Sequence, residues 1–507
     1  MDRFPLGLIF ALLVSIPASG AVQTEMDALA QRRWFEARTA HFRLYSCGIT
    51  QEVARVAARL EQFREAYSLL AGAQAVSSPP IVVIAFPDEA TMQPFLPLYQ
   101  GKPASLTAFF NRGSDENLIV LPLGKPFSLE LIFHEYTHLL LRHNDGIWPL
   151  WLKEGMAEIY STFEVSGSQS ARIGKPIPRH LRLMAGKPLI PLKQLFAVDH
   201  KSPEYNEQEH QGIFYAQSWL LTHFLMLGSN SGYKARFGQY TALLREGQLP
   251  EQAFTNALRS SLPGMEAELR AYLAGSRFAP FQFVLNTDLN AARAFVTRPI
   301  APVEIYFHLG DELLRVGQAD AAKRFFERAQ LLAPKSPLGF EGLGILAAER
   351  KEPAEAISFF HSAFERGSVN FLALYLYARE KYRLTSLHPD SYAPVGKEGG
   401  VEIRDLLEKS LKLMPDFGPA HHLLGFFEMV QGEDFPAAET HLRKAIQLEP
   451  ENQSYLLSLA QVQLIRKGPE EARHTLEPLL LPNAESDLRA HAQQMIQEMG
   501  RVPERSR

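Results

Sequence analysis

The sequence predicts an α+β domain followed by an all-α repeat array. Three observations predict it. Strand-like runs crowd the first 122 residues and helical runs follow them. Inside one of those helical runs, IFHEYTHLLL (132–141), two histidines stand four apart with a glutamate between them. After residue 302 the rhythm changes to a 34-residue recurrence of small and aromatic positions.

Bulk properties set the frame. A chain of 507 residues is long for one domain. With 46% hydrophobic and 21% charged residues it has the composition of a folded protein. A net charge of −4 offers no basic excess for phosphates, so nucleic acid is not an expected partner. One cysteine, Cys47, rules out an internal disulfide. It ends a strand-like run, RLYSC, and reads as a half-buried thiol rather than a nucleophile.

The first 21 residues, MDRFPLGLIFALLVSIPASGA, have one Arg, an apolar run and a small-residue end. That is the layout of a secretory signal peptide, and it implies a periplasmic or secreted protein. The alternative is an uncleaved membrane anchor, which Asp2 in the leading region keeps open.

Residues 22–275 read as one domain. A short helix leads into the alternating run AHFRLYS. Residues 51–71 carry apolar residues at helical spacing. PPIVVIAF (79–86) is a buried strand, and ASLTAFF and ENLIVLP pair across the turn NRGSD. Helices follow at about 128–142 and 151–164. Residues 165–210, rich in Pro, Gly and basic residues, read as a long loop, and helices resume over 211–275. Residues 276–302 read as a linker.

On a helix, His134 and His138 lie one turn apart on one face and can converge on a metal ion. Glu135 projects beside them and can take a proton from a water held there. A third ligand is needed. A His six residues past the second is absent, because Asn144 stands there and His143 is off by one. The other solution is a glutamate on the next helix. WLKEGMAE supplies Glu154, sixteen residues after His138, with Gly146 and Pro149 between them to turn the chain. Glu158 follows one turn later on the same face, where it can orient a ligand histidine.

With these two stretches, residues 34–275 resemble the gluzincin metallopeptidases. WLKEGMAE is similar to the W-L-x-E-G-x-A segment of the aminopeptidase N family. The FEARTAHFRLYS stretch, the leader and the trailing repeats make the chain closer to the bacterial peptidase-MA-like group. The resemblance implies one zinc ion held by His134, His138 and Glu154, with Glu135 as catalytic base. FYAQSWLLTHF (214–224) resembles the Y-x-Q-S segment of peptidase-MA-like chains and makes Tyr215 the candidate oxyanion donor. The other reading of Tyr215 is a packed core tyrosine; His210 and His223 are weaker alternatives for the role. GSDEN (113–117) lacks the Met of the aminopeptidase G-x-M-E-N stretch and reads as a hairpin turn, which gives no support to exopeptidase action. Arg172, Arg179 and Arg182 read as a solvated basic loop, with contacts to substrate carboxylates as the other reading.

Residues 303–336 place Tyr306, Leu309, Gly310, Ala322, Phe326, Ala329 and Pro334 in one repeat. Phe340, Leu343, Gly344, Ala356, Phe360 and Ala363 follow in the next. The pattern resembles tetratricopeptide repeats. A third unit is split by an insertion near 385–400, a fourth starts at 418, and a fifth over 453–485 is weaker. DLRAHAQQMIQEM (487–499) reads as a capping helix and 500–507 as a polar tail.

The expected function is an exported zinc-dependent peptidase acting on a peptide or protein substrate, with a repeat groove for a protein partner. The alternatives are an idle zinc domain that acts as a scaffold through its repeats, and a zinc hydrolase of non-peptide amides or esters. An intact Glu135 speaks against the idle domain, because a base contributes nothing to holding metal.

Overall fold

The computed structural model describes the chain apart from residues 1–19, 72–80, 100–101, 105, 125, 142–147, 168, 201, 207, 229–230, 276, 287–295, 386–394, 482–484 and 502–507. The leader sequence up to residue 19 therefore lies outside the described residues. No helix among them is long and apolar enough to cross a membrane. The chain divides into two compact units, Met1–Ile300 and Ala301–Arg507.

The first unit joins sheets and helices. Its strands are β1 (Phe35–Arg38), β2 (Phe42–Ser46), β3 (Ile81–Phe86), β4 (Leu98–Tyr99), β5 (Lys102–Pro103), β6 (Phe109–Asn111), β7 (Asn117–Pro122), β8 (Glu164–Ser166), β9 (Ser170–Ile173), β10 (Phe281–Val284) and β11 (Val296–Pro299). Six of them form a mixed sheet in the order β11-β1-β2-β3-β7-β6. Strands β2, β3 and β7 run parallel, and the remaining pairs are antiparallel. IVVIAF in β3 is buried along its whole length, as a central strand covered on both faces must be. The expected pairing across NRGSD is present, with Phe109 opposite Val120. FEARTAHFRLYS is two strands rather than one: residues 39–41 turn, and β1 folds back on β2.

Helices α1 (Gly20–Ala30), α2 (Thr50–Ala71) and α3 (Glu89–Met92) precede α4 (Pro126–Leu140) and α5 (Leu150–Ser161). Phe63 of α2 stacks on Phe133 of α4 with ring centroids 4.4 Å apart, and it meets Tyr160 of α5 edge-on at 6.2 Å. These rings fix the two site-bearing helices against α2.

Two expectations are corrected. Residues 165–210 are not a loop. They hold β8 and β9, then α6 (Pro178–Met184), α7 (Leu192–Ala197) and α8 (Pro203–Asn206), before α9 (Gln208–Leu227) begins. Pro178, Pro191 and Pro203 sit at helix starts, where the missing N–H costs nothing, so these prolines mark short helices. Residues 276–302 are not a free linker either. β10 pairs with β9 and β11 with β1, so this stretch supplies an edge strand to two sheets of the first unit. Helices α10 (Ser231–Arg245), α11 (Pro250–Leu258) and α12 (Leu262–Gly275) complete the unit.

The second unit is all helix and is a tetratricopeptide-type array. Its hairpins are α13/α14 (Pro302–Arg315, Ala319–Leu332), α15/α16 (Leu338–Glu349, Pro353–Glu365), α17/α18 (Phe371–Thr385, Lys397–Leu413) and α19/α20 (Gly418–Gln431, Phe435–Leu448). The fifth pairs α21 (Ser454–Lys467) with the short α22 (Pro469–Leu476), which tightens into a 3₁₀ turn over Glu477–Leu480. The terminal helix α23 (Ser486–Arg501) packs on this last pair through Ala492 and Met499. The recurring glycines are steric. A Cβ on Gly310 would stand 2.6 Å from the Phe326 ring, and one on Gly344 2.6 Å from the Phe360 ring. The helices of these two hairpins can cross closely only because that Cβ is missing.

Glu312 is fully buried in α13, and neither carboxylate oxygen has a hydrogen-bond partner. Burial, reinforced by the charge of Asp311, pushes its carboxyl well above the usual range, so the folded chain keeps the proton. A raised folded pKa gives stability that is full below the unfolded value and is lost as pH rises towards the folded one. Glu312→Gln is therefore expected to match the wild type in stability near pH 4. Above that pH it should exceed the wild type, by a margin that grows towards pH 7. Urea unfolding of the full chain at the two pH values checks this. Equal midpoints at pH 7 would mean that Glu312 finds a partner in solution.

Candidate metal centre

The site is built on α4 and α5. Ile132, Phe133, Tyr136, Leu139 and Leu140 form the buried stripe of α4. The same period leaves His134, Glu135 and His138 on the half-buried side. α5 is buried nearly throughout, and it includes Glu154 and Glu158, one turn apart.

The three sequence-predicted ligands converge. His134 Nε2 lies 3.2 Å from His138 Nε2. Glu154 Oε2 lies 3.4 Å from His134 Nε2 and 3.3 Å from His138 Nε2. This is the one cluster among the described residues whose donor atoms lie close enough to hold a metal ion. Glu154 Oε2 is buried and accepts no hydrogen bond. Glu154 Oε1, which faces away from the histidines, receives the Tyr205 hydroxyl at 3.5 Å.

Glu158 stands behind His134, with its Oε1 3.6 Å from His134 Nδ1. It also contacts His180 Nε2 at 3.0 Å and Arg179 Nη2 at 3.1 Å and 3.2 Å. Burial raises the pKa of this carboxylate, but His180, His134 and Arg179 outweigh that and hold it at about 2. Burial likewise opposes charge on Glu154, and the two histidines hold it far below the usual range. For His134, burial disfavours the cation, yet Glu154, Glu158 and Glu135 raise its pKa to about 9. Three carboxylates around two imidazoles thus make a pocket that favours positive charge.

Glu135 is half-buried on the same turn, and its charge reaches His134, Tyr205 and Tyr215. Tyr215 of α9 has its ring 6.2 Å from that of His134 and stacks on Tyr205 at 6.1 Å. Burial and the Glu154 charge drive its pKa upward, so its hydroxyl keeps its proton. Tyr215 is thus beside the cluster as well as packed on the core.

The Y-x-Q-S segment acquires a structural meaning. Gln217 receives the Ile190 N–H at 2.7 Å and donates to the Ile190 carbonyl at 2.6 Å, tying the α6–α7 connection to α9. Next to Glu154, a Cβ on Gly155 would stand 2.1 Å from Thr222 Oγ1 and 2.5 Å from the Ser218 carbonyl oxygen. Gly155 is what lets α9 approach α5. Gly155→Ala is expected to destabilise the full chain by about 2–3 kcal/mol, because the clash is partly with backbone. An unchanged thermal midpoint would refute this account of the glycine.

Other sequence candidates fall elsewhere. His223 is buried, with Nδ1 2.8 Å from the Tyr272 hydroxyl and Nε2 3.0 Å from the Gly174 carbonyl. Burial lowers its pKa to about 4, and it is a core residue rather than an oxyanion donor. The side chain of His210 and the turn at Gly146 lie outside the described residues. Burial pushes the Cys47 thiol up to about 11, as a bland thiol requires. The basic residues of 165–210 are not simply solvated: Arg172 pairs with Glu164 at 3.0 Å and Arg179 with Glu158. Tyr205 and His180 are additions that the sequence did not signal, and Arg179 holds Glu158 rather than standing in a solvated loop; each reaches the cluster from a segment without a recognisable motif.

No family model matches the sequence, and no curated protein matches it. Solved structures do. A thermophilic TPR protein of Thermus thermophilus is 21% identical, covering 38% of this chain and 99% of its own, with a TM-score of 0.30. YrrB, described as a TPR protein with an unusual peptide-binding site, is 16% identical over 38% of this chain and 91% of its own, with a TM-score of 0.31. A tetratricopeptide repeat protein of Parabacteroides merdae is 14% identical over 53% of this chain and 90% of its own, with a TM-score of 0.29.

Proposed function

We propose that the first unit is a zinc-dependent peptidase and the repeat array an arm for a protein partner or a long substrate. One observation carries the reading. The nitrogens of His134 and His138 and the buried, unpartnered Oε2 of Glu154 form a triangle with sides of 3.2, 3.3 and 3.4 Å. Zinc bonds of about 2.0–2.2 Å at tetrahedral angles put neighbouring donors roughly 3.3–3.6 Å apart. Two imidazoles and one carboxylate are also a donor set that suits zinc and leaves a fourth position open.

When bound, zinc would polarise a carbonyl oxygen and lower the pKa of a water. The chain's own residues do the rest. Glu135 accepts the water's proton and returns it to the leaving amine. Tyr215 keeps its proton and donates a hydrogen bond to the oxygen on which charge develops. Tyr205 holds the far oxygen of Glu154, leaving Oε2 to face the histidines. Export through the N-terminal leader is part of the same reading.

Elemental analysis of the purified full chain, followed by peptide-library cleavage with and without a chelator, tests the proposal. Zinc at about one per chain and chelator-sensitive cleavage are expected. A chain that takes up no zinc even after incubation with it would sink the reading.

A further inference from the structure

We propose that His180 is a positioning residue for the metal centre, acting on His134 through Glu158; this rests on the zinc reading above. His180 lies on α6 and is 2% exposed. Its Nε2 sits 3.0 Å from Glu158 Oε2, a close polar contact outside hydrogen-bond alignment. Its Nδ1 has no partner. The opposite oxygen of Glu158 faces Nδ1 of His134, whose Nε2 belongs to the ligand triangle. The order His180, Glu158, His134 thus runs from α6 across α5 to α4.

Two physical points favour His180 as the determinant. Arg179 also holds Glu158, but its side chain is 65% exposed, where water and salt weaken the pair. His180 is as buried as the carboxylate, so its contact is unscreened by solvent. Burying an imidazole with a carboxylate also costs more desolvation than an apolar pair of equal volume would. A purely space-filling role does not account for it, whereas aiming a ligand imidazole does, because such outer contacts set ring orientation and ligand strength.

The test uses the full chain and zinc itself. Zinc affinity is measured by competition with a chromophoric chelator for the wild type, His180→Gln and His180→Phe. Phe fills the ring's volume without an N–H, and Gln puts an amide nitrogen close to the Nε2 position. The thermal midpoint of each chelated protein is recorded beside it, and His180→Leu stands in if the Phe variant does not fold. The expected result is a loss of roughly 10–100-fold in zinc affinity for Phe. Gln should stay within about threefold of wild type, with the chelated midpoints of the two variants alike. Wild-type affinity in His180→Phe overturns the proposal while leaving the zinc reading standing. Equal weakening in both variants, in step with their chelated midpoints, makes His180 a packing residue and also overturns it. A wild type that binds no zinc overturns the zinc reading first, and this inference with it.

Discussion

Glu135→Gln is expected to keep zinc at the wild-type level and to lose peptide hydrolysis by roughly 10²–10⁴-fold or more. The carboxylate stands on the same turn as the ligand histidines but outside the three-atom cluster that could hold a metal. Gln keeps its shape and removes its capacity to take a proton, so metal retention and proton transfer separate. The side chain is only half-buried, and stability should change little. Metal content and single-turnover cleavage decide the matter. Cleavage at the wild-type rate by a zinc-loaded variant would be incompatible with Glu135 as the base. Zinc loss would instead make it a ligand.

Removing Glu154 should have the opposite signature. Glu154→Ala is expected to lose zinc and activity together, by more than the roughly 10–100-fold expected for an outer residue such as His180. Its Oε2 closes the triangle at 3.3 and 3.4 Å from the two histidines. It is also the nearest carboxylate oxygen to both ligand nitrogens, and its removal leaves His134 with only Glu158, 3.6 Å away on the other side of the ring. Glu154→Gln, measured beside it, keeps the volume and separates loss of ligand charge from loss of packing. Elemental analysis after desalting reads both. Full zinc retention in the Ala variant would mean that the ion sits elsewhere.

Both expectations originate in the sequence. The i, i+4 histidines, the glutamate between them and the glutamate sixteen residues on are linear facts of the sequence. Helical geometry alone puts the two histidines on one face, and the packing of α5 on α4 brings Glu154 to them. The repeats were legible for a similar reason: a hairpin that must pack on copies of itself needs its small residue at one fixed position, and Gly310 and Gly344 mark it. Strand β3 was legible because a strand covered on both faces has to be apolar throughout.

Residues 165–210 were misread for an equally physical reason. Pro, Gly and basic residues signal a break in hydrophobic periodicity, and helices of four to seven residues are too short to restore it. Those short helices deliver Tyr205, Arg179 and His180 to the centre. The strands at 281–284 and 296–299 escaped notice because pairing with partners more than 100 residues away leaves no local signature.

By itself, then, the sequence determined the candidate ligand set, the candidate base and the repeat register, because each depends on spacing along one helix or one hairpin. Only the tertiary structure decided what surrounds them: which hydroxyl holds Glu154, which groups hold Glu158, and that His223 belongs to the core. Those contacts join segments far apart in the chain, and their geometry exists only once the helices have packed.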